Sequence, residues 1–164
     1  MGAQTTNLSA HACDVIDAAL EKYPEEQKQS AVLTALHEAQ HDNEGFLTEE
    51  LMDAVADYLK MPRIAVYEVA SFYSMFETTP VGRHSVSICT NVSCMLQGSD
   101  EIVDHVERAL GIKIGESTRD GRIYLKREEE CLAACCGAPM MMVDHVYHEN
   151  LTPRKVDEIL GKLK

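Results

Sequence analysis

The chain has little positive charge: its 164 residues include 15 Lys and Arg against 27 Asp and Glu, a formal net charge of -12. Affinity for nucleic acid comes largely from Lys and Arg neutralising phosphates, so a nucleic-acid partner is not expected. Acidity of this kind keeps a protein soluble, or steers it toward a basic partner surface. Long apolar runs are missing as well, and no stretch is long and apolar enough to suggest direct membrane insertion. Met1 to Ala12 carry neither a basic segment nor an apolar stretch, so no secretory leader is expected and the chain reads as cytoplasmic and soluble. The nine glycines stand singly, with no G-x-G-x-x-G and no phosphate-cradling loop. Nucleotide or nicotinamide binding by this chain alone is therefore not expected. There is no internal repeat, low-complexity segment or long linker, and a chain of this length can bury a core without disulfides.

What is present divides at Thr78-Thr79-Pro80-Val81-Gly82. Before that boundary the apolar residues recur at helical spacing. Ser9 is a candidate N-cap for a helix with Val15, Ile16, Ala19, Leu20 and Tyr23 inward, broken at Pro24. Val32, Leu33, Ala35, Leu36 and Ala39 form a second stripe, stopped by Asp42-Asn43-Glu44-Gly45. Thr48 starts a third helix over Leu51, Met52, Val55, Ala56 and Leu59, and Pro62 opens a fourth with Ile64, Tyr67, Ala70, Tyr73 and Phe76 inward. After the boundary the period shortens. Ser85-Val86-Ser87-Ile88 alternates as a strand, and a helix follows Gly98-Ser99-Asp100 with Ile102, Val103, Val106 and Leu110 inward. Arg122 to Lys126 alternates again. Met140 to Val143 and Val146 to His148 predict a hairpin across Asp144-His145, although the glycine that favours tight turns is absent. Thr152 and Pro153 start a last helix over Val156, Ile159, Leu160 and Leu163. The expected fold class is α+β: an N-terminal helical domain of about four helices over residues 1-80, then a small mixed sheet flanked by helices over residues 81-164.

Four of the six cysteines form two close pairs, Cys89-x4-Cys94 and Cys131-x3-Cys135, separated by 36 residues. In a reducing compartment such pairs are more often metal ligands or redox catalysts than disulfides. Isolated thiols usually belong in a core, but two pairs at strand ends do not fit that reading. The C-x-x-C of thiol-disulfide catalysts is absent. A structural zinc uses similar spacings and stays open. A 2Fe-2S cluster takes two thiolates per iron, and each loop can chelate one iron, so spacing prefers this reading over zinc.

The two cysteine pairs, preceded by Ser71-Phe72-Tyr73-Ser74-Met75-Phe76 and Pro80-Val81-Gly82 and followed by Gly137-Ala138-Pro139, give the chain a close resemblance to the thioredoxin-like 2Fe-2S ferredoxins. Within that family it is most similar to the small iron-sulfur subunits of respiratory NADH-quinone oxidoreductase (complex I). The likeness spans nearly the whole chain and differs from plant-type ferredoxins, whose ligands cluster as C-x4-C-x2-C. It implies one 2Fe-2S cluster held by Cys89, Cys94, Cys131 and Cys135. Cys13 and Cys136 are left over, and Cys136 could replace Cys135 only by changing the second spacing. It also implies a cis bond at Ala138-Pro139.

As function, the resemblance implies an electron-transfer subunit of an NADH dehydrogenase, with no complete active site in this chain alone. A one-electron centre cannot accept a hydride, so FMN and NADH are expected on a partner, the NADH-binding flavoprotein subunit. Other peripheral-arm subunits would complete the assembly, at the inner face of the membrane. The equivalent diaphorase subunits of NAD-linked hydrogenases and formate dehydrogenases share these motifs, and a zinc-stabilised interaction module is the alternative of another class. The helical first half is the expected docking element, with capping of the sheet as the other reading. Glu128-Glu129-Glu130 would lower the reduction potential if near the cluster. The scattered histidines read as surface residues. Met140 to Met142 are expected to pack the sheet, with soft cover over the cluster as a lesser role.

Overall fold

The computed structural model describes residues 8-126 and 131-164, which fall into two compact units meeting in sequence at Pro80 and Val81. In the first, helix α1 (Ala10–Leu20) starts where Ser9 accepts the Ala12 N–H. Ala12, Ile16 and Ala19 line its buried face. Tyr23 was expected on that face, but it lies beyond the helix end and is exposed. A 3-10 segment, Glu25–Ala31, leads into α2 (Val32–Asp42). The chain then turns through left-handed Glu44 and Gly45. Thr48 caps α3 (Glu49–Leu59) by accepting the Leu51 N–H. Acidic Glu49 and Glu50 in its first turn complement the positive end of the helix dipole.

α4 (Arg63–Phe72) follows Pro62. Here the expected face is corrected. Val66 and Ala70 point into the core, whereas Ile64 is 67% exposed and Tyr73 lies past the helix end, also exposed. Only one face of this short helix meets neighbours, and the four-residue step from Val66 to Ala70 takes it. Ile16, Leu36, Leu47, Val55 and Val66 are the fully buried centre of this unit. Its last residues are tied back. The Leu47 N–H donates to the Glu77 carbonyl at 2.7 Å, and Gln40 grips both the Glu77 N–H and the Met75 carbonyl.

The second unit is a four-stranded sheet in the order β2-β1-β3-β4. β1 (His84–Ile88) lies parallel to β2 (Ile123–Leu125), and the crossover joining them carries α5 (Val92–Leu96) and α6 (Ser99–Leu110). β3 (Met141–Val143) runs antiparallel to β1, and β4 (Val146–His148) antiparallel to β3. The hairpin turn is made without glycine: Asp144 and His145 both take left-handed backbone angles, φ 46 and 68. The Asp144 carboxylate accepts the Ser85 N–H and contacts the His84 ring, which holds the turn against β1. α7 (Pro153–Leu160) starts at Thr152, whose hydroxyl accepts the Lys155 N–H. Residues of α6 and α7 join Val86, Ile88, Ile123, Leu125, Met141 and Val143 in one core. Gly82 lies so near β2 that a Cβ there would stand 2.5 Å from the Ile123 carbonyl carbon.

This is the α+β class expected, with a helical first half and a small mixed sheet flanked by helices. No helix among the described residues is long and apolar enough to cross a membrane.

Candidate metal centre

β1 is a central strand, and its C-terminal end delivers Cys89 directly after Ile88. The interval to the next cysteine is not a plain loop, as the spacing suggested. Asn91 caps the five-residue helix α5, and Cys94 lies on it, buried. The strand signal ends at Cys89 and five residues are too few to show a helical period, so this element left no trace in the sequence pattern. Cys131 and Cys135 lie on the segment between β2 and β3, the latter opening a 3-10 turn, Cys135–Gly137, and both are exposed. Two thiols are thus shielded and two face outward.

The structure brings the four near one another. Cys89 interacts with Cys94 and Cys131, and Cys94 with Cys135. Among the described residues, no three His, Cys, Asp or Glu side chains are disposed to hold a single metal ion. Cys136 is exposed next to Cys135, and Cys13 packs at the edge of the helical core. Glu128 to Glu130 lie outside the described residues.

Backbone N–H groups are aimed at the sulfurs. Ala133 takes a left-handed φ of 58, a strained choice for a residue with a side chain, and its N–H reaches the Cys131 sulfur at 3.3 Å. Burial would raise the Cys89 thiol, but hydrogen bonds from the Leu132 and Asn91 backbone, aided by Cys94 and Cys131, outweigh it and hold its pKa down. Burial dominates at Cys94, which also gives its proton toward Cys89; its pKa is pushed up to about 11 despite a hydrogen bond from the Met140 backbone. Met140 therefore serves both buried cysteines, since its carbonyl accepts the Cys89 N–H at 3.2 Å. The bond just before it, Ala138-Pro139, is cis, as the resemblance implied. Gly137 is buried where a Cβ would meet the Glu149 side chain at 2.5 Å.

Leu132 and Met140 pack with Cys89 and Cys94, while Ala134, Ala138 and Met142 close over them. The methionine run is thus split by strand alternation. Met140 and Met142 cover the thiols, and Met141 enters the core on the other side of the sheet. An all-sulfur donor set with N–H groups directed at it fits an iron-sulfur cluster, whose ligand sulfurs carry negative charge that such donors stabilise. Sequence reasoning found the four thiols but missed Ala133, α5 and the Met140 backbone. For Ala133 no signal existed, because left-handed geometry is ordinarily marked by glycine.

The chain is similar to several known proteins. The profile of the family described as thioredoxin-like 2Fe-2S ferredoxin matches residues 16-164. An NADH-quinone oxidoreductase subunit of Rickettsia bellii (strain RML369-C) is 43% identical over 145 residues, covering 88% of this chain and 86% of that protein. A mitochondrial protein of Dictyostelium discoideum, NADH dehydrogenase [ubiquinone] flavoprotein 2, is 40% identical over 149 residues, 91% of this chain and 60% of that protein. Among solved structures, the NAD+-reducing NiFe hydrogenase in its H2-reduced state superposes with a TM-score of 0.69 at 21% identity, covering 80% of this chain and 22% of that one. At that identity the likeness is one of fold.

Proposed function

Because the chain belongs to the thioredoxin-like 2Fe-2S ferredoxin family, we propose that it is the electron-transfer iron-sulfur subunit of an NADH-quinone oxidoreductase. The observation that carries this reading is the convergence of Cys89, Cys94, Cys131 and Cys135 at one end of the sheet, with backbone N–H groups turned toward their sulfurs. Relatives at about 40% identity carry oxidoreductase-subunit names, whereas the hydrogenase resembles this chain in fold alone. The quinone-linked reading is preferred to the hydrogenase diaphorase for that reason.

Cys89 and Cys94 hold one side of the site and Cys131 and Cys135 the other, in a domain formed by residues 81-164. A 2Fe-2S cluster bound there supplies a one-electron couple. The residues of the chain fix its surroundings. Leu132, Met140 and Ala138 keep water from the buried pair, the N–H groups of Leu132, Asn91, Met140 and Ala133 stabilise charge on sulfur, and the exposed Cys131 and Cys135 leave one edge open to a partner. Hydride removal from NADH is a two-electron step and falls to a partner subunit carrying FMN. The helical domain, residues 1-80, is the docking element, and the assembly places this chain in the cytoplasmic peripheral arm, at the inner face of the membrane.

Anaerobic reconstitution tests the reading. Broad visible absorption with about two irons and two sulfides per chain, and an EPR signal after dithionite reduction, are expected. Colourless protein that retains zinc would make it an interaction module instead.

A further inference from the structure

Gly137 closes the 3-10 turn that Cys135 opens, and it is buried. The space a side chain would fill there is taken by another residue. A Cβ at Gly137 would stand 2.5 Å from the Cβ and from the carboxyl carbon of Glu149, and 2.6 Å from its Cγ. The Glu149 side chain therefore lies flat against the turn, and a larger residue at 137 would push its carboxylate away.

The connection between β4 and α7 delivers Glu149 to this place. The Asn150 N–H donates to the Gly137 carbonyl at 2.6 Å and the Leu151 N–H to the Pro139 carbonyl at 2.9 Å, so residues 149-151 run along the second cysteine segment as a strap. Asn150 takes a left-handed φ of 50, which asparagine tolerates better than most residues. Leu151 anchors the strap in the core under the sheet. The Lys155 ammonium donates to the Glu149 backbone carbonyl and not to its carboxylate. Among the described residues no hydrogen-bond donor or cation is paired with that carboxylate.

A charge so placed bears on electron uptake. Accepting one electron makes the four-cysteine site one unit more negative, with no bond made or broken, and a fixed negative charge beside it opposes that change. We propose that Glu149 is a potential-setting residue: laid over Gly137 by the strap, its carboxylate lowers the reduction potential of the 2Fe-2S centre that Cys135 helps to hold. This deepens the functional reading above and rests on it. Sequence spacing singles out Glu128-Glu129-Glu130 for such an effect; Glu149 stands on a different segment, and the fold alone brings it to the cysteines.

The test is a redox titration of the anaerobically reconstituted full chain with dithionite, followed by EPR. Glu149→Gln keeps the shape of the side chain and removes its charge. It should raise the midpoint potential, increasing the ratio of reduced to oxidised centre at a fixed potential about threefold. The increase should shrink as ionic strength rises, because Glu149 is exposed and salt screens its charge. Glu149→Asp should stay nearer the parent than Glu149→Gln does. Lys155→Gln removes a positive charge that also touches the strap, and it should shift the potential the opposite way. If the parent takes up the cluster and Glu149→Gln matches it in both spectrum and potential, Glu149 has no such role and the function stands. If Glu149→Gln and Lys155→Gln raise the potential alike, the geometry of the strap sets it and the charge does not, which overturns the proposal. Glu149→Gln protein that no longer retains iron would overturn it too, by making Glu149 a support for the turn. If the parent itself forms no cluster, the function and this role of Glu149 fall together.

Discussion

A thiolate among backbone N–H groups is a stabilised anion, and one in apolar surroundings is not; Cys89 and Cys94 divide along that line although both are buried. The division comes from where each chain segment ends. Cys89 leaves a strand just where neighbouring N–H groups are free to turn to its sulfur, and Cys94 is enclosed by a short helix. Replacing Cys89, Cys94, Cys131 or Cys135 singly by Ser should remove the native visible spectrum and lower iron and sulfide per chain. C13S and C136S should leave both unchanged. A spectrum lost in C136S but kept in C135S would transfer the fourth ligand to Cys136. The adjacent thiol is the one ambiguity that spacing leaves, because two neighbouring residues in a tight turn differ only in direction.

Elements in this chain are bounded by side chains that take up orphan backbone donors. Ser9, Thr48 and Thr152 each cap the helix that the sequence pattern assigns to them. The last matters most to the unit that carries the four paired cysteines, because α7 contributes Val156, Ile159 and Leu160 to its core. Thr152→Ala should lower stability toward urea by about 1 kcal/mol, and Thr152→Ser by much less, read as midpoint shifts at unchanged slope. The hairpin at Asp144-His145 was legible despite its missing glycine, since strand alternation on both sides outweighed turn chemistry; the carboxylate bonds to β1 that compensate the turn were not. α4 shows the reverse. Its helical period was plain, but which of two apolar faces turned inward was not, because both Ile64/Phe72 and Val66/Ala70 recur at helical steps.

Across the whole molecule, two separate cores carry the fold, and nearly all the net negative charge lies in the first half of the chain, because the Lys and Arg residues lie mostly in the second. A pH response belongs to this scale. His148, on edge strand β4, has its pKa lowered from 6.5, first by burial and then by Lys155 and Lys162. Its folded state therefore disfavours the charged ring. Above pH 6.5 both folded and unfolded forms are neutral and the contribution is complete. As pH falls below that value the unfolded chain takes up the proton first, and stability is lost until the folded pKa is passed. The urea midpoint should fall more between pH 7.5 and pH 5.5 (roughly one unit either side of the unperturbed His value) in the parent than in His148→Asn. Equal falls in the two would remove His148 from the pH response.

By itself the sequence determined the class of the protein: the four paired thiols, the change of period at Pro80, the capped helices and the strand that runs into Cys89. Each of these is written in neighbouring residues, where spacing and side-chain chemistry act directly. Only the tertiary structure decided which thiols are shielded, which N–H groups reach them, that Met140 and Met142 cover the site while Met141 does not, and that Ile64 and Phe72 face outward. Those properties depend on what a distant segment places against a residue, and period and propensity hold no record of the other side of a contact.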